Sequence, residues 1–269
     1  MKALYFDCAS GICGSMVLGA LLELVEDDEW FFDEISQLHL EDYTIDISKG
    51  LVNDIAATSV EIMVVKRHHQ YSELKAMINE SELNLAVKDL AKKILRRLAK
   101  AEGKVRGVPI EKAFDYRSDM EKVLLIIVGT AILINRLAPE LCFSSVVNDG
   151  YGFIDTEFGT IPVPLPATSE IFAASTVISR QIGINTDLVT PTGAAIIAEL
   201  ATIYGPMPAM DVTKIGWGAG HKVLTIPNIL RVSLGEVTKY PDEMILWGSI
   251  LDDVSCSDSR RIITGRNKD

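Results

Sequence analysis

The run Val123–Ile134, VLLIIVGTAILI, holds twelve residues without a charge, and a mixed charged stretch, KAFDYRSDMEK, leads straight into it. A membrane-spanning helix needs roughly 20 apolar residues. This run is too short for that and has to be buried in protein. A helix that is apolar nearly all round packs on most of its sides, so the rest of the fold must surround it. Ser118-Asp119-Met120-Glu121 fits the capping box S-x-x-E ahead of an apolar run. The pattern predicts a helix from about Asp119 to Leu137, stopping before Pro139.

The other segments alternate between strand and helix patterns. Lys2–Phe6 reads as a short buried strand, followed by the loop DCASGICGSM and an apolar helix over Ser15–Val25. Tyr43–Ser48 and Ser59–Val65 read as paired strands, and KRHHQYSELKAMINES as a polar stretch with a short helix. Ser81–Ala101 has Leu83, Val87, Leu90, Ile94, Leu95 and Leu98 on one helical face, with Gly103 as a stop. Its other face carries Lys88, Lys92, Lys93, Arg96, Arg97 and Lys100, which reads as a solvated face. Leu141–Val147 is a strand, GYGFIDTEFGTIPVPLPAT a loop or hairpin, and Ser169–Ser179 and TPTGAAIIAELA are helices. Val212–Trp217, Ile229–Leu234 and Met244–Ile250 are strand candidates. The expected class is α/β, a mixed sheet with flanking helices. Residues 1–250 are expected to form one compact unit and 251–269 a flexible tail.

Composition narrows the function. The 269 residues are 48% hydrophobic and 23% charged, a globular profile. A net charge of −11 and a pI near 4.9 argue against nucleic acid as a partner, because phosphate neutralisation needs clustered Lys and Arg. Asp7 interrupts the N-terminal apolar run, so no signal peptide is read there. Cys8, Cys13, Cys142 and Cys256 form no C-x-x-C, which points to a reduced, cytoplasmic setting without a membrane.

Three glycine-bearing loops and two histidine sites are the chemical candidates. In DCASGICGSM, Gly11 and Gly14 allow backbone amides near an anion ahead of a helix N-terminus, with Asp7 and Ser10 beside them. A tight βα turn would use the same residues. In LVTPTGAA, Thr190 is a natural N-cap with Pro191 at the first helical position. Gly193 in the first turn implies close backbone approach, by a neighbouring segment or by a ligand. IGWGAGHK repeats glycine before His221. His68 and His69 are either a solvated pair or weak transition-metal ligands. No nucleophile–base motif is present.

Several stretches together resemble one family, the LarC-type nickel-insertion proteins. LYFDCASGICGSMVLGALL is similar to the family's LYxDCxSGISGDMxLGALL, and RHHQYSELKAMI to its His-rich segment. VRGVPIEKA, GYGFIDTEFGTIPVPLPAT, LVTPTGAAI, YGPMP and IGWGAG…IPNILRVSLGE follow in the family's order, covering residues 1 to about 250. The resemblance implies nickel insertion into a thiolated pyridinium mononucleotide, with CTP and manganese or magnesium handled by a separate C-terminal partner chain. Homo-oligomers are compatible with it. It suggests Asp7, Ser10, Gly11, Gly14, Thr190, Thr192, Gly193, Gly218 and Gly220 for the nucleotide, and His68, His69 and His221 for nickel. Phe114, Asp115, Tyr116 and Arg117 occupy the positions of the family's His-Phe-His-Glu stretch. Lys122 and Ile126 replace Asp, Ser15 replaces Asp, and Phe158 replaces His. The alternative is therefore a non-catalytic paralogue that binds a mononucleotide or pairs with an intact relative.

Overall fold

A computed structural model describes residues 1–156 and 159–239. In chain order these form β1 (Lys2–Asp7), α1 (Gly14–Val25), α2 (Asp28–Ser36), β2 (Tyr43–Val52), β3 (Ile55–Val64), α3 (Tyr71–Glu80), α4 (Leu85–Arg106) and α5 (Met120–Leu137). Then come β4 (Leu141–Ser144), β5 (Val147–Asp149), β6 (Gly152–Thr156), β7 (Gly159–Val163), α6 (Pro166–Ala173), β8 (Ser179–Gln181), α7 (Pro191–Leu200), β9 (Ile203–Tyr204), β10 (Ala209–Ala219) and β11 (Ile229–Lys239).

Among the described residues, the main sheet has seven strands in the order β2-β3-β10-β11-β1-β4-β9. β1 pairs parallel with β4 and antiparallel with β11, and β11 pairs antiparallel with β10. Thus β1 and β10 run the same way, and the loops that follow them leave the sheet at one edge. The α/β expectation with a mixed sheet holds. Leu4, Phe6, Val60, Ile62, Leu230 and Val232 point from the sheet into one large core with α1 and α5. Among the described residues, the opposite face carries smaller clusters, around Tyr5 and Phe143 and around Ala57 and Ala219. As its apolarity requires, α5 is buried from Met120 through Ile134 apart from Lys122.

Several local expectations need correction. The capping box Ser118–Glu121 does not form. Asp119 is the N-cap residue of α5 and makes no side-chain cap bond. Its carboxylate is held by the neighbouring Arg117, while Glu121 bonds His69 and Arg67 from the segment after β3, so other side chains take the groups that a cap would use. The capping box that does form is Gln70–Glu73, at the start of α3. The long helix begins at Leu85, not Ser81, because the Asn84 side chain caps it by accepting from the Val87 amide at 3.0 Å. It runs through Gly103 and ends at the left-handed Gly107. The strand expected over Leu141–Val147 is broken into β4 and β5. The helix expected over Ser169–Ser179 starts earlier, with Pro166 in its first turn, and ends at Ala173. The sequence pattern missed α2. Met244–Ile250, the tail 251–269, Phe158 and Cys256 lie outside the described residues.

Candidate functional site

A groove of about 350 Å³ opens at the edge where β1 and β10 end. Three helices begin at its wall: α1 contributes Cys13–Met16, α5 contributes Lys122 and Val123 just behind its cap Asp119, and α7 contributes its cap Thr190 with Pro191 and Thr192. The amides of a helix's first turn lack intrahelical acceptors, and the aligned peptide dipoles place about half a positive charge there. Three such ends around one cavity favour an anion. The Thr190 hydroxyl accepts from the Gly193 amide at 3.2 Å and fixes the start of α7.

Two loops meet to set this geometry. Ile12 and Val189 form a parallel bridge, with the Ile12 amide donating to the Leu188 carbonyl at 3.0 Å. Gly11 has φ +83°, and a Cβ there would lie 2.2 Å from the Leu188 oxygen; a Cβ on Gly193 would lie 2.3 Å from the Ile12 oxygen. A neighbouring segment therefore explains the close approach at Gly193.

Behind this contact, Asp149 is 1% exposed. Its Oδ1 accepts from the amides of Gly150, Leu188 and Val189 at 2.7, 2.9 and 3.2 Å, while Oδ2 is buried without a partner. Burial pushes this carboxyl above the usual range, and the charge of Asp187 adds to the shift, against the three amide donors. A raised folded pKa contributes stability that is complete below the unfolded value of about 3.9 and is lost as pH rises through the folded value. Asp149→Asn keeps the acceptor and removes the titration. The wild-type stability relative to Asp149→Asn is expected to fall as pH rises above about 4, as read by urea denaturation. Asp149→Ala should cost about 1–3 kcal/mol at any pH, because the amides lose their acceptor. A pH-independent difference from the Asn variant would refute the role of the buried proton.

The cations of the groove differ in how they are held. Arg117 forks onto Asp119 with two bonds of 2.8 Å and lies 3.6 Å from Glu102. Burial opposes the charged form of Asp119, but these bonds and the guanidinium charge outweigh it and hold its carboxyl below the usual range. Lys222 pairs with the Asp187 carboxylate and donates to its carbonyl at 2.9 Å, tying the β10–β11 turn to the loop before α7. Lys122 is half-buried in the wall and makes no ion pair among the described residues. The Cys13 thiol lies 3.3 Å from the Ser15 hydroxyl, and burial pushes it up, so it is a neutral group here.

Of the residues suggested from sequence, Gly14, Thr190, Thr192, Gly220 and His221 line the groove. Asp7 pairs with Arg231, and Ser10 is buried outside the lining. Gly218 packs against α1, where a Cβ would come 1.8 Å from the Met16 oxygen. His68 and His69 lie on the segment after β3, outside the lining. His68 Nδ1 is 3.2 Å from the Asp115 carbonyl, and His69 stands between Glu121 at 2.7 Å and Glu73 at 3.5 Å. Phe114 is fully buried, and the Tyr116 hydroxyl donates to Glu102 at 2.8 Å. Among the described residues no three His, Cys, Asp or Glu side chains are grouped to hold a metal ion. Sequence reasoning passed over Lys222 and Asp187. Their positions, next to IGWGAGH and LVTPTG, were the available signal.

Comparison with known proteins adds the family. The model of the nickel insertion protein family matches residues 4–264. The chain belongs to the nickel insertion protein family. A relative from Acetivibrio thermocellus, named pyridinium-3,5-bisthiocarboxylic acid mononucleotide nickel insertion protein, is 38% identical over 95% of this chain and 66% of its own length. A putative nickel insertion protein of Dictyoglomus thermophilum is 41% identical over 89% of this chain and 62% of its own. A Desulfitobacterium hafniense protein with the same name as the first is 37% identical over 88% of this chain and 59% of its own. The chain thus spans about three fifths to two thirds of the length of these relatives. No solved structure matches it. For this member of the family, no helix among the described residues is long and apolar enough to cross a membrane.

Proposed function

We propose that this chain binds a pyridinium mononucleotide in the edge groove, as the substrate-holding part of nickel insertion. The observation that carries this is the convergence of the α1, α5 and α7 N-termini, with Lys122 in the same wall. A phosphate monoester fits that field, and open sheets bind ligands at the carboxyl ends of their strands. Cys13, Ile126 and Thr192 line the cavity beside the phosphate end and offer the pyridinium a partly apolar wall. Two of the named relatives act on the thiolated pyridinium mononucleotide. Nickel enters as cargo, with soft sulfur donors on the substrate suited to it. A separate C-terminal partner would supply CTP with manganese or magnesium.

The second reading, a paralogue that binds the mononucleotide without inserting nickel, is favoured by Lys122 in the groove, which no described carboxylate pairs. A cation at this range repels a divalent ion.

Calorimetric titration of the full chain with a pyridinium mononucleotide tests the binding. Saturable binding is expected, weakened by inorganic phosphate and absent for the dephosphorylated nucleoside. A nucleoside that binds as tightly as the mononucleotide would refute the phosphate subsite. Product formation with Ni²⁺, CTP and the C-terminal partner supports insertion; bound substrate without product supports the second reading.

A further inference from the structure

The net charge of −11 hides a local reversal on α4. Lys93, Arg96, Arg97, Lys100 and Lys104 recur at helical spacing and line a second cavity, of about 410 Å³, closed on its other sides by Glu170, Ile171 and Ala174 from α6 and its end and by Glu199 of α7. Five cations face two carboxylates. Both carboxylates are engaged: Glu199 holds Arg97 at 2.5 Å, and Glu170 holds Lys104 at 2.5 Å. Lys93, Arg96 and Lys100 make no ion pair among the described residues. Arg97 also donates to the Ala174 carbonyl at 3.0 Å, so its guanidinium is fixed at the mouth. The buried Ala101 and Ile171 give the cavity an apolar floor.

Three cations spaced three and four residues apart on one helix repel each other, and the cavity's two carboxylates are already engaged by Arg97 and Lys104. A ligand with three or more closely spaced negative charges would relieve the repulsion. The cavity is concave and of small-molecule size, which suits a compact anion and not an extended chain. Arginine and lysine together provide both fork and point-charge donors for phosphate oxygens. We propose that the α4–α6–α7 cavity is a binding site for an oligophosphate, distinct from the edge groove and independent of the function proposed there.

The test is calorimetric titration of the full chain with inorganic tripolyphosphate at low salt. The expected result is saturable binding with one site, at least 10-fold tighter than orthophosphate and weakening steeply as salt is raised. Arg96→Ala/Lys100→Ala should weaken it at least 10-fold, and Lys100→Glu should do so alone. These exposed positions should leave the circular dichroism melting curve unchanged, which separates lost binding from lost fold. A parallel arm uses a nucleoside triphosphate without metal. Equal affinity identifies the bare phosphate chain as the ligand, and tighter binding identifies a nucleotide; either supports the site. No saturable binding, or binding that survives both α4 variants, overturns it. Loss with Lys122→Ala instead would place the anion in the edge groove and also overturn it.

Discussion

A Gly218→Ala chain is expected to lose about 3 kcal/mol of stability or more, the upper range for overpacking a core. The new methyl group would lie 1.8 Å from the Met16 oxygen, 2.7 Å from the Met16 carbonyl carbon and 2.8 Å from the Ala20 amide nitrogen. All three are backbone atoms of α1, so no side chain can rotate away. Relief requires α1 to lift from β10, and α1 also packs on α5 and β3. The displacement would open the main core and move the Cys13–Met16 wall of the groove with it. Gly220→Ala is the contrast: the three atoms nearest its Cβ, at 2.5–2.6 Å, all belong to the Asn228 side chain and none to a backbone. It should cost well under half as much. Urea denaturation with an unchanged m-value reads both. Equal stabilities for the two variants would show that α1 is not locked against β10.

Lys122→Asp is expected to weaken mononucleotide binding by about 100-fold, roughly 2.7 kcal/mol, because a favourable charge is replaced by a repulsive one beside the phosphate. Lys122→Met, which removes only the charge, should cost about 10-fold. The position is half-buried at the start of α5 and makes no ion pair among the described residues, so the fold should tolerate either change. An aspartate there would also stand in the same wall as Asp119, Asp187 and His221. Ni²⁺ binding should therefore strengthen as mononucleotide binding weakens, and the same calorimetric titration reads both. Unchanged mononucleotide affinity in Lys122→Asp would remove Lys122 from the site.

The architecture was legible where periodicity decides it. The apolar run over Val123–Ile134 demanded a central helix, and α5 is one. Thr190 before Pro191 marked the start of α7, and the structure makes that cap bond. Local rules failed where a distant partner competed. Ser118 and Glu121 have the spacing of a capping box, but His69 and Arg67 reach Glu121 from the segment after β3, some 50 residues earlier in sequence. Spacing alone carries no such information. The glycines were legible as close approaches but not as to what approaches them. At Gly11, Gly193 and Gly218 it is the protein's own backbone, and only Gly14 and Gly220 reach the groove. The clasp between Lys222 and Asp187 joins residues that no local pattern relates.

The burial of α5 has a consequence at its polar end. A helix gripped along nearly its whole length cannot tilt or slide to follow a ligand without opening the core. The charge at Lys122 and the dipole end behind Asp119 are thus set in advance of any encounter. Recognition at this edge should proceed as into a rigid mould, with little reorganisation cost, and selectivity should come from the shape and charge of the ligand. The slowest amide exchange in the protein should then lie along the helix that starts at the groove, tying its preorganisation to the most protected part of the fold.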